Sequence, residues 1–245
     1  MFIIGAIFGS FYGVVGTRLP EEKSIVKPAS HCEKCGHYLK WYENIPLLSY
    51  IFLGGHCKKC KTPIGFVYFM TELLSGCLFA LCYKVFGISY EFFIAVILSS
   101  LVIIIFVSDS KYMIINDSPL IVSAILIFII KWLDTGIVSA LLSLVYGLII
   151  FGAAYLLMLF GSLAFKQEAL GGGDIKLSFV AGMVLGVKLG ILYIVLASFL
   201  AFPYAVYVTL KNKDNMLPFG PFLVSSLLII YLNMNIISEI IKIIF

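Results

Sequence analysis

The chain has 245 residues and a formal net charge of +4, with 62% apolar side chains and 12% charged ones. A soluble domain carries about 25% charged residues, and here apolar runs of span length, about 20 residues, recur along the chain. Most soluble readings are excluded, and an all-α polytopic membrane protein is expected. Nothing in the composition points to nucleic acid.

The first run, MFIIGAIFGSFYGVVGTRLP, could pass for a secretory signal. It has neither a basic start nor a small-x-small cleavage site, so it reads as a retained helix over 1–17. A hydrophilic segment, 18–64, follows. Further helices are expected at 65–86, 92–108, 119–133, 137–165, 177–187, 189–210 and 220–243, about eight transmembrane helices in all. The 177–187 helix is short for a span, and its boundary with the next falls around Lys188.

With the N-terminus outside, the inner loops are 18–64, 109–118, 166–176 and 211–219. They collect Arg18, Lys23, Lys27, Lys34, Lys40, Lys58, Lys59, Lys61, Lys111, Lys166, Lys176, Lys211 and Lys213, leaving Lys84, Lys131, Lys188 and Lys242 for the other side. This positive-inside bias orients the chain with both ends outside. The polar material, and with it any chemistry, gathers at the cytoplasmic face.

Segment 18–64 contains HCEKCG and GHCKKCK, that is Cys32-x-x-Cys35 and Cys57-x-x-Cys60. Two such knuckles suit a tetrahedral zinc ion, each giving two thiolates from one tight turn. Neighbouring lysines favour the thiolate form. Two disulfides, or one redox pair, are the alternative, and the reducing side of the membrane disfavours stable disulfides. Four cysteines leave no open metal position, so the expected role is structural, with the metal contributing most of the loop's fold. Cys77 and Cys82 lie within an apolar run and read as packing residues.

Two carboxylates stand at inner helix ends in matching surroundings: Asp109-x-Lys111 in FVSDSKYMIIND and Asp174-x-Lys176 in GGGDIKL. The glycine run is not a phosphate loop, because no Gly-Lys-Ser/Thr follows and the aspartate would repel a phosphate. Taken singly, each aspartate reads first as a solvated helix end. Brought face to face, two such carboxylates cannot both ionise easily. One keeps a proton while the other stays charged, the state required to activate water and protonate a leaving group.

The motifs together resemble the type IV prepilin peptidases, the leader peptidase and N-methyltransferase family. The resemblance runs through GSFYGVVGTRLP, the two cysteine pairs flanking WYENIPLLSYIFLGG, TPIGFVYFMTELLSG, GGGDIKL and LPFGPFL. It implies a membrane-embedded aspartic peptidase that cuts a short basic leader from prepilins or pseudopilins after a glycine, at the cytoplasmic face of the bacterial cell membrane. It further implies methylation of the new N-terminal amine with S-adenosylmethionine as donor. Asp109 and Asp174 would be the catalytic pair. Asn116 stands where the family often has proline, in IINDS, and Asp117 keeps the acidic position after it, which makes Asp117 the rival partner. Glu72 would hold the substrate amine or bond a neighbouring helix. Gly55 matches a glycine linked to methyl transfer, or is simply a turn residue of the knuckle. On this reading the chain divides into 1–90, helices plus cysteine loop with the methyltransferase part, and 91–245, the peptidase domain. The alternative from another class is a divalent-metal transporter, which would place its charges near the bilayer midplane; a secretion-assembly scaffold would need neither aspartate.

Overall fold

A computed structural model describes residues 1–165, 171–211 and 218–244, the last stretch of α9 (Met234–Ile244) by its backbone. Lys166, Lys213 and Leu217, which entered the charge count or the last motif, lie outside the described residues. The fold is helical: α1 (Phe2–Arg18), α2 (Leu48–Phe52), α3 (Phe66–Phe86), α4 (Tyr90–Tyr112), α5 (Asp117–Thr135), α6 (Ile137–Phe165), α7 (Gly172–Leu210), α8 (Gly220–Leu232) and α9. Five of these, α3 to α7, are long and apolar enough to cross a membrane, and α1 and α8 are shorter apolar helices. The protein is a multi-pass membrane protein.

Helix α4 is the hub: it packs on α1 and α3 on one side and on α5 and α8 on the other, while α7 packs on α5, α6 and α8. The α1–α3 seam is close because small residues line it. A Cβ on Gly9 would lie 2.7 Å from the Thr71 carbonyl oxygen, so the two backbones touch where any larger residue would hold them apart.

The expected pair of helices at 177–187 and 189–210 is present as α7, with the break at Gly186 (φ 71°, ψ −170°) rather than around Lys188. The conformation at 186 is one that only glycine adopts without strain. Beyond it the chain turns back sharply. The Ser178 hydroxyl lies 3.2 Å from the Tyr193 hydroxyl, and Gly182 and Gly190 both abut Ile150. In a straight helix residues 178 and 193 would be about 22 Å apart. α7 therefore supplies two arms, which keeps the expected succession of two apolar segments here. The first arm starts earlier than expected, at Gly172, so Asp174 stands in its first turn and not in a preceding loop. The expected helix 220–243 is divided at Asn233 into α8 and α9.

A helix that breaks inside the membrane leaves carbonyls without their i+4 partners. Here Lys131 of α5 donates from Nζ to the Met183 carbonyl at 2.6 Å, putting a cation at the C-terminal end of the first arm. This accounts for an ionisable group within the last turns of a span, where such groups are costly without a partner. Lys131→Met should destabilise the detergent-solubilised protein by about 1–3 kcal/mol, the cost of an unsatisfied buried carbonyl, with Lys131→Arg closer to wild type. Thermal unfolding midpoints check this, and a Met variant as stable as wild type would remove the cap from the account.

Candidate active site and cysteine cluster

Asp109 sits in the last turn of α4 and Asp174 in the first turn of α7, and both are buried, at 6% and 7% exposure. Each is met by one glycine N–H: Gly220 donates to Asp109 Oδ2 at 3.0 Å, and Gly171 to Asp174 Oδ2 at 3.2 Å. The two carboxylates lie within reach of each other's charge. Ile115, in the α4–α5 connection, wedges between the elements that carry them. A Cβ on Gly173 would stand 2.6 Å from Ile115 Cβ, and one on Gly220 would stand 2.8 Å from Ile115 Cδ1 and 2.9 Å from Asp109 Oδ2. The glycines of GGGD and LPFGP are thus places where backbone must touch side chain. Below Asp174 the Ser178 hydroxyl donates to the Asp174 carbonyl and meets Tyr193, so the polar groups of this turn are tied to the second arm.

The lysines of the two Asp-x-Lys patterns do not touch the buried aspartates. Lys176 grips Asp117 with Nζ 2.7 and 2.8 Å from its two carboxylate oxygens, on the exposed surface. Lys111 donates to the Tyr112 hydroxyl, which donates to Glu21 at 2.6 Å. The structure brings Asp109 and Asp174 together and leaves Asp117 outside, in an ion pair.

Glu72 lies two turns into α3 and is buried; its Oε2 accepts the Leu47 N–H at 2.7 Å, at the start of α2. Of its two sequence readings, the geometry displays the bond to neighbouring structure. Gly55 (φ 70°) opens the second knuckle, and a Cβ there would meet the Tyr50 ring at 3.0 Å.

The four sulfurs of Cys32, Cys35, Cys57 and Cys60 lie within 4.8 Å of one another. Cys32 and Cys60 are 3.7 Å apart and Cys35 and Cys57 3.9 Å. Four sulfurs about 2.3 Å from a central ion would be about 3.8 Å apart, so the donor set fits a tetrahedral metal ion. The two knuckles repeat one another bond for bond. Cys32 N–H donates to the His37 carbonyl and Gly36 N–H to the Cys32 carbonyl; Cys57 N–H donates to the Thr62 carbonyl and Lys61 N–H to the Cys57 carbonyl. Short bridges, His31 with Tyr38 and His56 with Pro63, close both. The hydroxyl of Thr62, with its backbone N–H, pulls the Cys60 thiol down to about 6. Cys35 moves the other way, to about 11: the His37 N–H pulls it down, but burial and the neighbouring sulfurs push it further up. Four thiolates in this space repel one another, and a cation is what relieves that repulsion.

Glu43, of WYENIP, is a residue that motif reading passed over. Its Oε2 takes the Lys40 N–H at 2.9 Å and lies 3.1 Å from His37 Nε2, binding the segment between the knuckles to the first of them. The Lys40 N–H, with His37 beside it, holds the Glu43 carboxyl below the usual range.

Comparison with known proteins places the chain in a family. Residues 3–86 match the bacterial peptidase A24 N-terminal domain, and residues 96–206 match the type IV leader peptidase family. A prepilin leader peptidase/N-methyltransferase of Bacillus subtilis (strain 168) is 39% identical over 95% of this chain and 92% of its own length. The chain belongs to the type IV leader peptidase family. A relative of the same description from Myxococcus xanthus is 37% identical over 76% of this chain and 55% of its own length. One from Vibrio cholerae is 28% identical over 96% of both. No solved structure matches the chain. The transporter alternative gains no support: family membership is that of a peptidase, and both aspartates stand at helix ends.

The knuckle repeat generates a prediction. Lys61 holds a left-handed conformation (φ 57°) at the position where the first knuckle has Gly36 (φ 66°). That conformation costs a residue with a Cβ about 1–2 kcal/mol. Lys61→Gly should therefore match or exceed wild type in the chelator concentration needed to strip metal from the loop. A weaker hold on the metal would contradict the equivalence of the two turns.

Proposed function

We propose that this protein removes the basic leader from type IV prepilins or pseudopilins and methylates the N-terminal amine so exposed. The observation that carries the reading is the pair of buried carboxylates, Asp109 and Asp174, each bonded through Oδ2 to a glycine N–H. That arrangement leaves Oδ1 of each to water and substrate. Two neighbouring carboxylates share one proton. The ionised one takes a proton from water as the water oxygen attacks the carbonyl of the leader's final glycine. The protonated one donates to that carbonyl oxygen; as the C–N bond breaks, the first carboxyl passes the water's proton to the departing amine and the second regains its own from the tetrahedral hydroxyl. The substrate segment must lose its helical bonds there, which is tolerable where protein encloses a wet site. Asp117 and Lys176 fasten α5 to α7 and are assigned a supporting role, as is Lys111 with Tyr112 and Glu21.

For the second activity the donor is S-adenosylmethionine, which supplies an electrophilic methyl group. We assign that half to residues 1–90 and the peptidase to 91–245. Glu72 positions α2 through Leu47, and Gly55 shapes the turn into the second knuckle. The metal is zinc, held by Cys32, Cys35, Cys57 and Cys60 in a closed structural site. The lysine distribution supports a cytoplasmic placement of both sites, in the bacterial cell membrane. The partners are the prepilin or pseudopilin and the bilayer.

Two experiments test this. Asp109→Asn and Asp174→Asn should each lower leader cleavage by about 10²–10⁴-fold or more with insertion intact, whereas Asp117→Asn should retain most activity. Wild-type cleavage by either of the first two would remove that residue from the mechanism. Purified protein should carry about one zinc per chain. The Cys32→Ser, Cys35→Ser double variant should lose it, and mass spectrometry should find cleaved, unmethylated pilin. Fully methylated product from that variant would separate the cysteine loop from methyl transfer.

A further inference from the structure

We infer that α2 and its flanks, residues 44–56, are an interfacial membrane element, dipping the cysteine loop into the boundary between lipid headgroups and acyl chains. From Asn44 to Cys57 the chain has no Asp, Glu, Lys or Arg, although the surrounding loop is rich in them. Leu48, Ile51 and Phe52, at i, i+3 and i+4, form one face of α2 and are 51%, 62% and 83% exposed. The opposite face carries Tyr50, whose ring packs on Phe69 (5.1 Å between centroids) and Phe66 (6.3 Å) of α3.

Depth follows from α3. The Leu47 N–H bonds Glu72, six residues and so about 9 Å below the first residue of the span. Glu72 reaches back toward the start of the span, and with the Tyr50 ring on Phe66 and Phe69, α2 stands beside the first turn of α3, where Phe66 and Val67 already expose apolar surface. A segment at that depth must largely satisfy its own backbone, and seven of its N–H groups bond within it. Leu48 donates to Pro46, Ser49 to Ile45, Ile51 to Leu47, Leu53 to Ser49, Gly54 to Ile51, Gly55 to Tyr50 and His56 to Leu53. Pro46 has no N–H, and Glu72 takes the Leu47 N–H that opens the helix. The occupant of the exposed face is the bilayer, because that face continues the lipid-facing surface of α3 at the same height. The second knuckle begins five residues after Phe52, so the metal cluster is held at the membrane surface.

Fluorescence quenching tests this in reconstituted full-length protein. In a Trp41→Phe, Trp132→Phe background that still cleaves substrate, Phe52→Trp becomes the single tryptophan. In phosphatidylethanolamine–phosphatidylglycerol vesicles, chains brominated near the glycerol should quench it strongly, chains brominated near the methyl end less, and aqueous acrylamide little. A tryptophan introduced instead by Lys59→Trp, on the exposed side of the second knuckle, should show the reverse. Ile51→Trp gives the same reading should the first variant fold poorly. Acrylamide quenching without lipid quenching at both 51 and 52 would overturn the inference. So would loss of lipid quenching on adding a peptide spanning a prepilin leader and its apolar segment, which would make the face a substrate dock.

Discussion

A carboxylate buried at the end of a membrane-embedded helix needs a hydrogen-bond donor that brings no second full charge. Here the donors are backbone N–H groups, Gly220 for Asp109 and Gly171 for Asp174. A cationic partner would fix each carboxylate in its ionised form. A single neutral donor steadies the group while leaving it able to exchange a proton. Much of the surrounding architecture serves that contact. The backbone must come close enough to donate, which admits no Cβ at Gly220, and Ile115 fills the space against Gly173. The hairpin of α7 brings Tyr193 alongside the turn that carries Asp174, with Ser178 between them.

The cysteine loop solves a different problem by a different device. It is too short to bury a core, and its shape rests on two equivalent turns facing one another across four sulfurs. What joins this loop to the membrane helices is a small set of polar contacts. Glu72 of α3 reaches up to Leu47, and Arg18 at the end of α1 donates to the Ser24 and Pro28 carbonyls. Each places a charged side chain on backbone, which fixes position more firmly than a surface ion pair.

The spans were legible in the sequence because lipid demands long apolar runs, and the cysteine quartet because metal geometry demands fixed spacing. The break at Gly186 was legible only as a short helix followed by another. Hydropathy is indifferent to a positive φ, so the residue that turns the chain stayed hidden beside Lys188. Division of the last helix at Asn233 left no hydropathy signal either, since both sides are apolar. The repeated Asp-x-Lys pattern suggested two like units, yet Lys111 and Lys176 turn to different partners, Tyr112 and Asp117. Spacing along a chain fixes which residues share a face, not what the neighbouring helix presents to them. The partner of Asp109 lies 111 residues away, in a motif that could be quoted but not interpreted.

The two halves of the chain are not independent modules laid end to end. α4 carries Asp109, and one turn further on carries Tyr112, whose hydroxyl bonds Glu21 at the root of the cysteine loop. Higher on the same helix, Ser100 donates to the Tyr12 hydroxyl of α1. A displacement of α4 would move a buried carboxylate and the loop's anchor together. If the proposed division of the two activities holds, such a shared strut keeps the second site in register with the first. Under the proposed assignment, the amine released beside Asp109 and Asp174 would need to travel only along the membrane surface, toward the cysteine cluster that Glu72 and α2 help to hold.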